Sequence, residues 1–246
     1  MTEELGKIER PEASEYAGKR MIYVAPLIHP MPGAPAGFAG RLEEYWKAVD
    51  QHASGLEARA GIVKHIFHEG VSYQGDPGID QLKQTNMPAF PLVNTRVQGG
   101  AIFEALEDDD LFMQTVDWGR ILQGGFASKV VADVATEAFN KASQARFDHM
   151  SQAIDQRLGE DEAALLVISS TRGLSLPEGA EIFNIMPPEL DELTRWIEET
   201  ARTQQAEYEA AIKAQQAGMD PNEAAAGQQA APPPDEGQGL WTPGAS

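Results

Sequence analysis

Two histidines, a glutamate, three hydroxyls and an arginine are the groups in this chain whose types and positions could do chemistry together. They are His29, the pair His68-Glu69, and the run Ser169-Ser170-Thr171-Arg172. Each group directly follows a short apolar run. His29 follows residues 20–28 (RMIYVAPLI), His68-Glu69 follows residues 62–67 (IVKHIF), and the hydroxyl run follows residues 163–168 (AALLVI). In open α/β sheets, ligands bind beyond the carboxyl ends of the strands. If these runs are parallel strands, the polar groups after them converge on one edge. There Arg172 could hold a carboxylate or phosphate in bidentate fashion, and His68 or Glu69 could serve as base. The expected catalytic set is His29, His68, Glu69, Ser170 and Arg172. The chemistry it suggests is hydrolysis or the binding of a small ligand.

The elements needed to position this set are legible in outline. Residues 163–168 form a near-continuous apolar run, as expected of a strand covered on both faces. Residues 181–186 form a second, closed by Pro187-Pro188, and a helix with Glu189, Asp191 and Glu192 in its first turn follows at once. Leu42, Tyr45, Trp46, Val49, Ala53 and Leu56 recur at helical spacing and predict a helix over residues 37–60. Strand, helix and strand within residues 20–67 predict a βαβ unit with a right-handed crossover and parallel strands. Residues 71–91 read as irregular, with a short helix around 78–83. A helical insertion is expected over about 100–159: short helices at 100–106 and 111–122, then a long one at 128–158. In the long helix, Val131, Val134, Ala138, Ala142 and Ala145 form one stripe, and Phe147, Met150, Ile154 and Leu158 form another. The expected fold class is α/β, with a small, mainly parallel sheet of about four strands flanked by helices.

Other candidate motifs read as structural. His65 and His68 are three apart on a predicted strand, so they point to opposite faces and cannot chelate one ion. No metal site is expected. Glu107-Asp108-Asp109-Asp110 lacks the alternation and glycine of a calcium loop and reads as the cap of the helix near Leu111. No phosphate loop, dinucleotide fingerprint, nucleophile elbow or HExxH motif occurs, and the sequence leaves any cofactor unknown.

Composition bounds the rest. The 246 residues include 38 acids and 19 bases, a formal net charge of −19. Such a charge repels phosphate backbones and anionic lipid, so neither nucleic acid nor membrane is an expected partner. There is no cysteine, which excludes disulfides, thiolate metal sites and a cysteine nucleophile. The polar N-terminal stretch does not read as a signal peptide, and a cytoplasmic protein is expected. Residues 1–19 read as a loose arm and 20–217 as one α/β domain. Residues 218–246, rich in Ala, Gln, Pro and acids, read as a disordered tail. Leu240 and Trp241 in that tail are an expected anchor for a protein partner, which is the alternative to a small-molecule site.

The order of these pieces resembles a group of bacterial and archaeal conserved α/β proteins of unknown function. The resemblance is carried by RMIYVAPLIHP, KHIFHEG, QGGAIFEALEDDDLF, RFDHMSQAIDQRLGEDEAALLVIS and LPEGAEIFNI. More distantly, the last stretches look like the closing motif of TraB-like and erythromycin-esterase-like proteins. That motif has a helix carrying an arginine, then a strand ending in a small-residue turn with a histidine. The resemblance implies that Arg146 corresponds to the arginine. At the turn this chain has Ser169-Ser170-Thr171-Arg172.

Overall fold

The computed structural model describes residues 16, 18–31 and 33–218. The arm before residue 16 and the tail with Leu240 and Trp241 lie outside the described residues. The chain divides into two compact units, residues 1–195 and 196–246. The division falls inside the last helix.

The first unit is a parallel sheet covered by helices. In chain order it contains β1 (Met21–Pro26), α1 (Phe38–Glu57), β2 (Val63–His68), α2 (Asp76–Thr85), a 3-10 turn (Met87–Ala89), α3 (Phe90–Gln98) and β3 (Ile102–Phe103). It continues with α4 (Asp109–Gln123), α5 (Lys129–Arg157), β4 (Ala163–Ile168) and β5 (Glu181–Asn184). Helix α6 (Pro188–Gly218) begins in this unit and continues through the second. The strand order is β3-β2-β4-β1-β5, and every pairing is parallel.

The sequence reading is corrected at two places. Among the described residues there are five strands, and β3 stands where a short helix was expected at residues 100–106. Glycines at 99 and 100 stop α3, and the backbone then turns into the sheet, where His65 pairs with Ile102 and Ile66 with Phe103. A two-residue strand carries no periodicity to read. The 71–91 stretch is also more regular than expected, because it contains α2 and leads into α3. Gly78 in α2 allows a close approach: a Cβ there would stand 2.0 Å from the Tyr73 carbonyl oxygen.

The apolar runs explain which strands are central. All six residues of β4 are buried, and it lies between β2 and β1. Alternation along the strands divides the core. Ile22, Val24, Phe67, Ala164, Leu166 and Ile168 cluster with Met150, Ile154 and Leu158 of the α5 segment. Tyr23, Ile66 and His68 therefore point to the opposite face. Right-handed crossovers place α1, α2 and α3 on that face, since β1 to β2 and β2 to β3 run one way across the sheet and β3 to β4 runs back. Helix α1 is fixed at the sheet edge by its Tyr45 hydroxyl, which donates to the Pro26 carbonyl at the end of β1.

Candidate functional site

Because all strands run parallel, His29, His68, Glu69, Ser170 and Arg172 do lie at one edge of the sheet, beyond the carboxyl ends of β1, β2 and β4. The chain leaving β1 turns to the α1 face. The chain leaving its neighbour β4 turns to the α5 face, where Leu174 and Leu176 pack on the core cluster. Neighbouring strands whose chains depart to opposite faces mark the position at which ligands generally bind in open α/β sheets. The turn after β4 is held close to α5 by Gly173, at φ 89°, where a Cβ would come within 3.0 Å of the Phe147 ring.

The groups at this edge do not form a single cluster. Glu69 follows His68 by one residue and so points to the α5 face. There it meets Arg146 of α5, whose Nη2 donates to Glu69 Oε1 at 3.0 Å. The same guanidinium donates through Nε to Glu107 Oε2 at 2.9 Å and through Nη2 to Glu107 Oε1. Gly70 N also donates to Glu107 Oε1, at 3.1 Å. The second oxygen of Glu69 accepts from both the amide and the hydroxyl of Ser169, each at 2.6 Å. Phe112 of α4 lies against the guanidinium, 5.1 Å from its carbon to the ring centre. The result is a continuous line from hydroxyl to carboxylate to guanidinium to carboxylate, with only Ser169 exposed.

Burial and pairing set the charges along this line. Burial would raise the Glu69 carboxyl, but the two bonds from Ser169 and the Arg146 guanidinium outweigh it and hold the carboxyl below its ordinary value. Burial opposes the charge on Arg146, and Glu107 and then Glu69 outweigh it and strengthen its hold on the proton. Side-chain exposure of Glu107 is 0% and that of Arg146 is 10%. A pair so withdrawn from water is costly to break on one side only.

His68 lies on the other face, beneath the α1 layer, and is 1% exposed. Its Nδ1 is 2.6 Å from the Glu69 carbonyl, so Nδ1 carries the proton and Nε2 is an acceptor. That Nε2 has no hydrogen-bond partner, and neither has Oδ1 of the buried Asn86. Both atoms are acceptors, so they cannot satisfy each other. Burial pushes the His68 pKa down to about 4, the bond to Glu69 opposes this, and nearby His29 adds to the lowering. His29 itself is exposed, as are Ser170 and Arg172, and the Arg172 amide donates to Ser170 Oγ at 3.1 Å. Of the expected set, Glu69 alone belongs to the Arg146 network.

The network contains residues that sequence reasoning placed differently. Ser169, not Ser170, engages Glu69. Glu107 was read as part of a helix cap, but that role belongs to Asp108, whose Oδ1 accepts from Leu111 N at 2.9 Å. Arg146 entered only through the resemblance. A signal for it existed in the spacing: Ala142, Arg146, Met150 and Ile154 recur every four residues, so the arginine lies on the buried stripe of α5.

A second buried ionic cluster lies nearer the outer edge. His65 Nδ1 is 2.9 Å from Glu104 Oε1, and its Nε2 is 3.2 Å from Glu162 Oε2. Arg157 Nε is 3.1 Å from Glu104 Oε2, and Gln74 donates to the same oxygen at 3.0 Å. These contacts join β2, β3, the start of β4 and the end of α5. As expected, His65 and His68 project to opposite faces. Among the described residues no three such side chains are placed to hold a metal ion.

Two predictions follow from this geometry. Arg146→Met leaves two carboxylates facing each other and is expected to lower unfolding free energy by about 3–5 kcal/mol. Adding Glu107→Gln should restore part of that loss, and urea midpoints of the single and double variants check it. For His68, the folded pKa lies below the ordinary 6.5, so the unfolded chain takes up a proton that the folded chain refuses. Stability therefore falls as pH drops from about 6.5 to about 4, by about 3 kcal/mol in all. His68→Gln should flatten that limb in urea midpoints measured against pH. A limb of unchanged size would show that His68 is not its source.

Comparison with known proteins finds no matching family model, no matching curated protein and no matching solved structure.

Proposed function

We propose that the carboxyl edge between β1, β4 and β2 is a small-ligand site with a hydrolase-like arrangement. The observation that supports this is the Ser169–Glu69–Arg146 line. An exposed hydroxyl lies 2.6 Å from a carboxylate that a buried guanidinium holds in place. Nucleophile, base and a third group that orients the base make up the minimum for nucleophilic catalysis. In this reading Ser169 Oγ attacks the carbonyl carbon or phosphorus of an ester. Its proton passes to Glu69 and from there to the departing alcohol. Water then attacks the acyl- or phosphoryl-Ser169, giving up a proton to Glu69, and the Ser169–carbonyl or Ser169–phosphorus bond breaks as Ser169 Oγ takes that proton back.

The electrostatics shape what such a site can do. The hydrogen bonds that fix Glu69 also hold its pKa down, so it is a weak proton acceptor. The arrangement favours binding and slow turnover. The exposed Arg172 and His29 flank the same edge and suit a ligand carrying a carboxylate or phosphate. A panel of carboxylate and phosphate esters, assayed for hydrolysis and for thermal shift, tests the proposal. The expected result is a rise in melting temperature that Arg172→Ala abolishes, and turnover that falls at least about 100-fold in Ser169→Ala. Silence in both assays with the intact protein would remove this reading.

A second reading, an interaction protein acting through its C-terminal part, has its own support. In the second unit, residues 201–209 of α6 are all exposed, with Tyr208 at 69%. Partner capture by the full chain should then be lost when residues 219–246 are deleted, and capture that survives the deletion would count against the tail anchor.

A further inference from the structure

The long stripe Val131, Val134, Ala138 and Ala142 reads as an inner face, yet the structure covers only its far end. Ala142 is buried and Ala138 half-buried, while Val131 is 52% and Val134 60% exposed. Val130 beside them is 72% exposed. The partner helix shows the same deficit. Seven of the fifteen residues of α4 are Leu, Ile, Val, Met, Phe or Trp, and none is buried. Met113 and Ile121 are 50% and 46% exposed. Helix α4 packs along α5, and the short connection at residues 124–128 makes the two an antiparallel hairpin. Two helices share one seam, so apolar residues flanking that seam remain in water unless another layer covers them.

Charge identifies the covering layer. Between residues 111 and 143 the acids are Asp117, Asp133 and Glu137, and the bases are Arg120, Lys129 and Lys141. This outer part of the hairpin thus carries no net charge, in a chain whose net charge is −19, while Asp109 and Asp110 at the base of α4 are acidic. Over most of its surface a second copy would be repelled. On residues 111–143 it would not be, because acids and bases are interspersed along their length. A two-fold axis brings one patch against itself, which suits a patch of mixed sign and apolar centre.

We propose that two copies of this chain pair through their α4–α5 hairpins to form a four-helix bundle. This is the packing that up-and-down helical hairpins with short loops adopt around a shared apolar core. It goes beyond the ligand site, though it bears on it, because Phe112 at the base of the hairpin lies over Arg146.

Sedimentation equilibrium of the full chain tests the proposal. A dimer of 26.7 kDa subunits is expected. The paired change Val131→Glu with Val134→Glu should give a monomer. Both positions are more than half exposed, so the monomer should keep its helical circular dichroism, with a melting temperature that no longer depends on protein concentration. Met113→Glu on α4 should weaken the dimer independently. A monomeric mass for the unaltered chain at high micromolar concentration overturns the proposal. So does a dimer that survives all three substitutions, or one that is lost on deleting residues 219–246 alone.

Discussion

One buried guanidinium holds together parts of this fold that are far apart in sequence. Arg146 extends from α5 to the turn after β2 through Glu69 and to the segment after β3 through Glu107. The guanidinium could not be buried at that depth without these carboxylates. The triad does not favour folding simply by being ionic, since well-packed apolar groups can do as well. What it adds is geometry. It fixes the Glu69 carboxylate at a single orientation, and through it the first residue of the turn after β4.

The sheet supplies the other half of that arrangement. Its parallel register aligns Val167 of β4 with His68 of β2, so Ser169 and Glu69 meet at the same level of the edge. The two faces then diverge in character. Along the Arg146 line, acceptors and donors are matched down to Ser169. On the α1 side, His68 Nε2 and Asn86 Oδ1 are buried acceptors without a donor. A buried acceptor without a donor is a cost that native proteins seldom retain.

The apolar runs made the sheet readable. Residues 163–168 have the composition of a strand buried on both faces and form one, and the βαβ unit follows from the Leu42-to-Ala53 spacing between two such runs. Parallel strands then sufficed to bring the strand-end residues to one edge. The side of the sheet on which each would lie depended on single-residue register, which the sequence reading applied to His65 and His68 but not to the adjacent His68 and Glu69, which face opposite layers. Glu107 was obscured by its three acidic neighbours, because only the path of β3, two residues long, turns it inward. Arg146 was obscured by its charge, since a stripe is read by apolar residues and a paired arginine in the stripe looks like an interruption.

The place of β4 in the strand order has a consequence for how this chain comes to be folded. The central strand is the fourth to be synthesised. Its partners on either side, Met21 and Val63, precede Ala163 by 142 and 100 residues. Until β4 arrives, β1 and β2 have a gap between them and no hydrogen bonds to share, although α1, α2 and α3 are already complete. Closing such long loops is slow, and unpaired strand edges are exposed to other chains while they wait. A nascent chain that has reached the end of α5 thus has at most the short β2–β3 pairing of its sheet, and β1 joins it only after residues 163–168 insert between strands made long before.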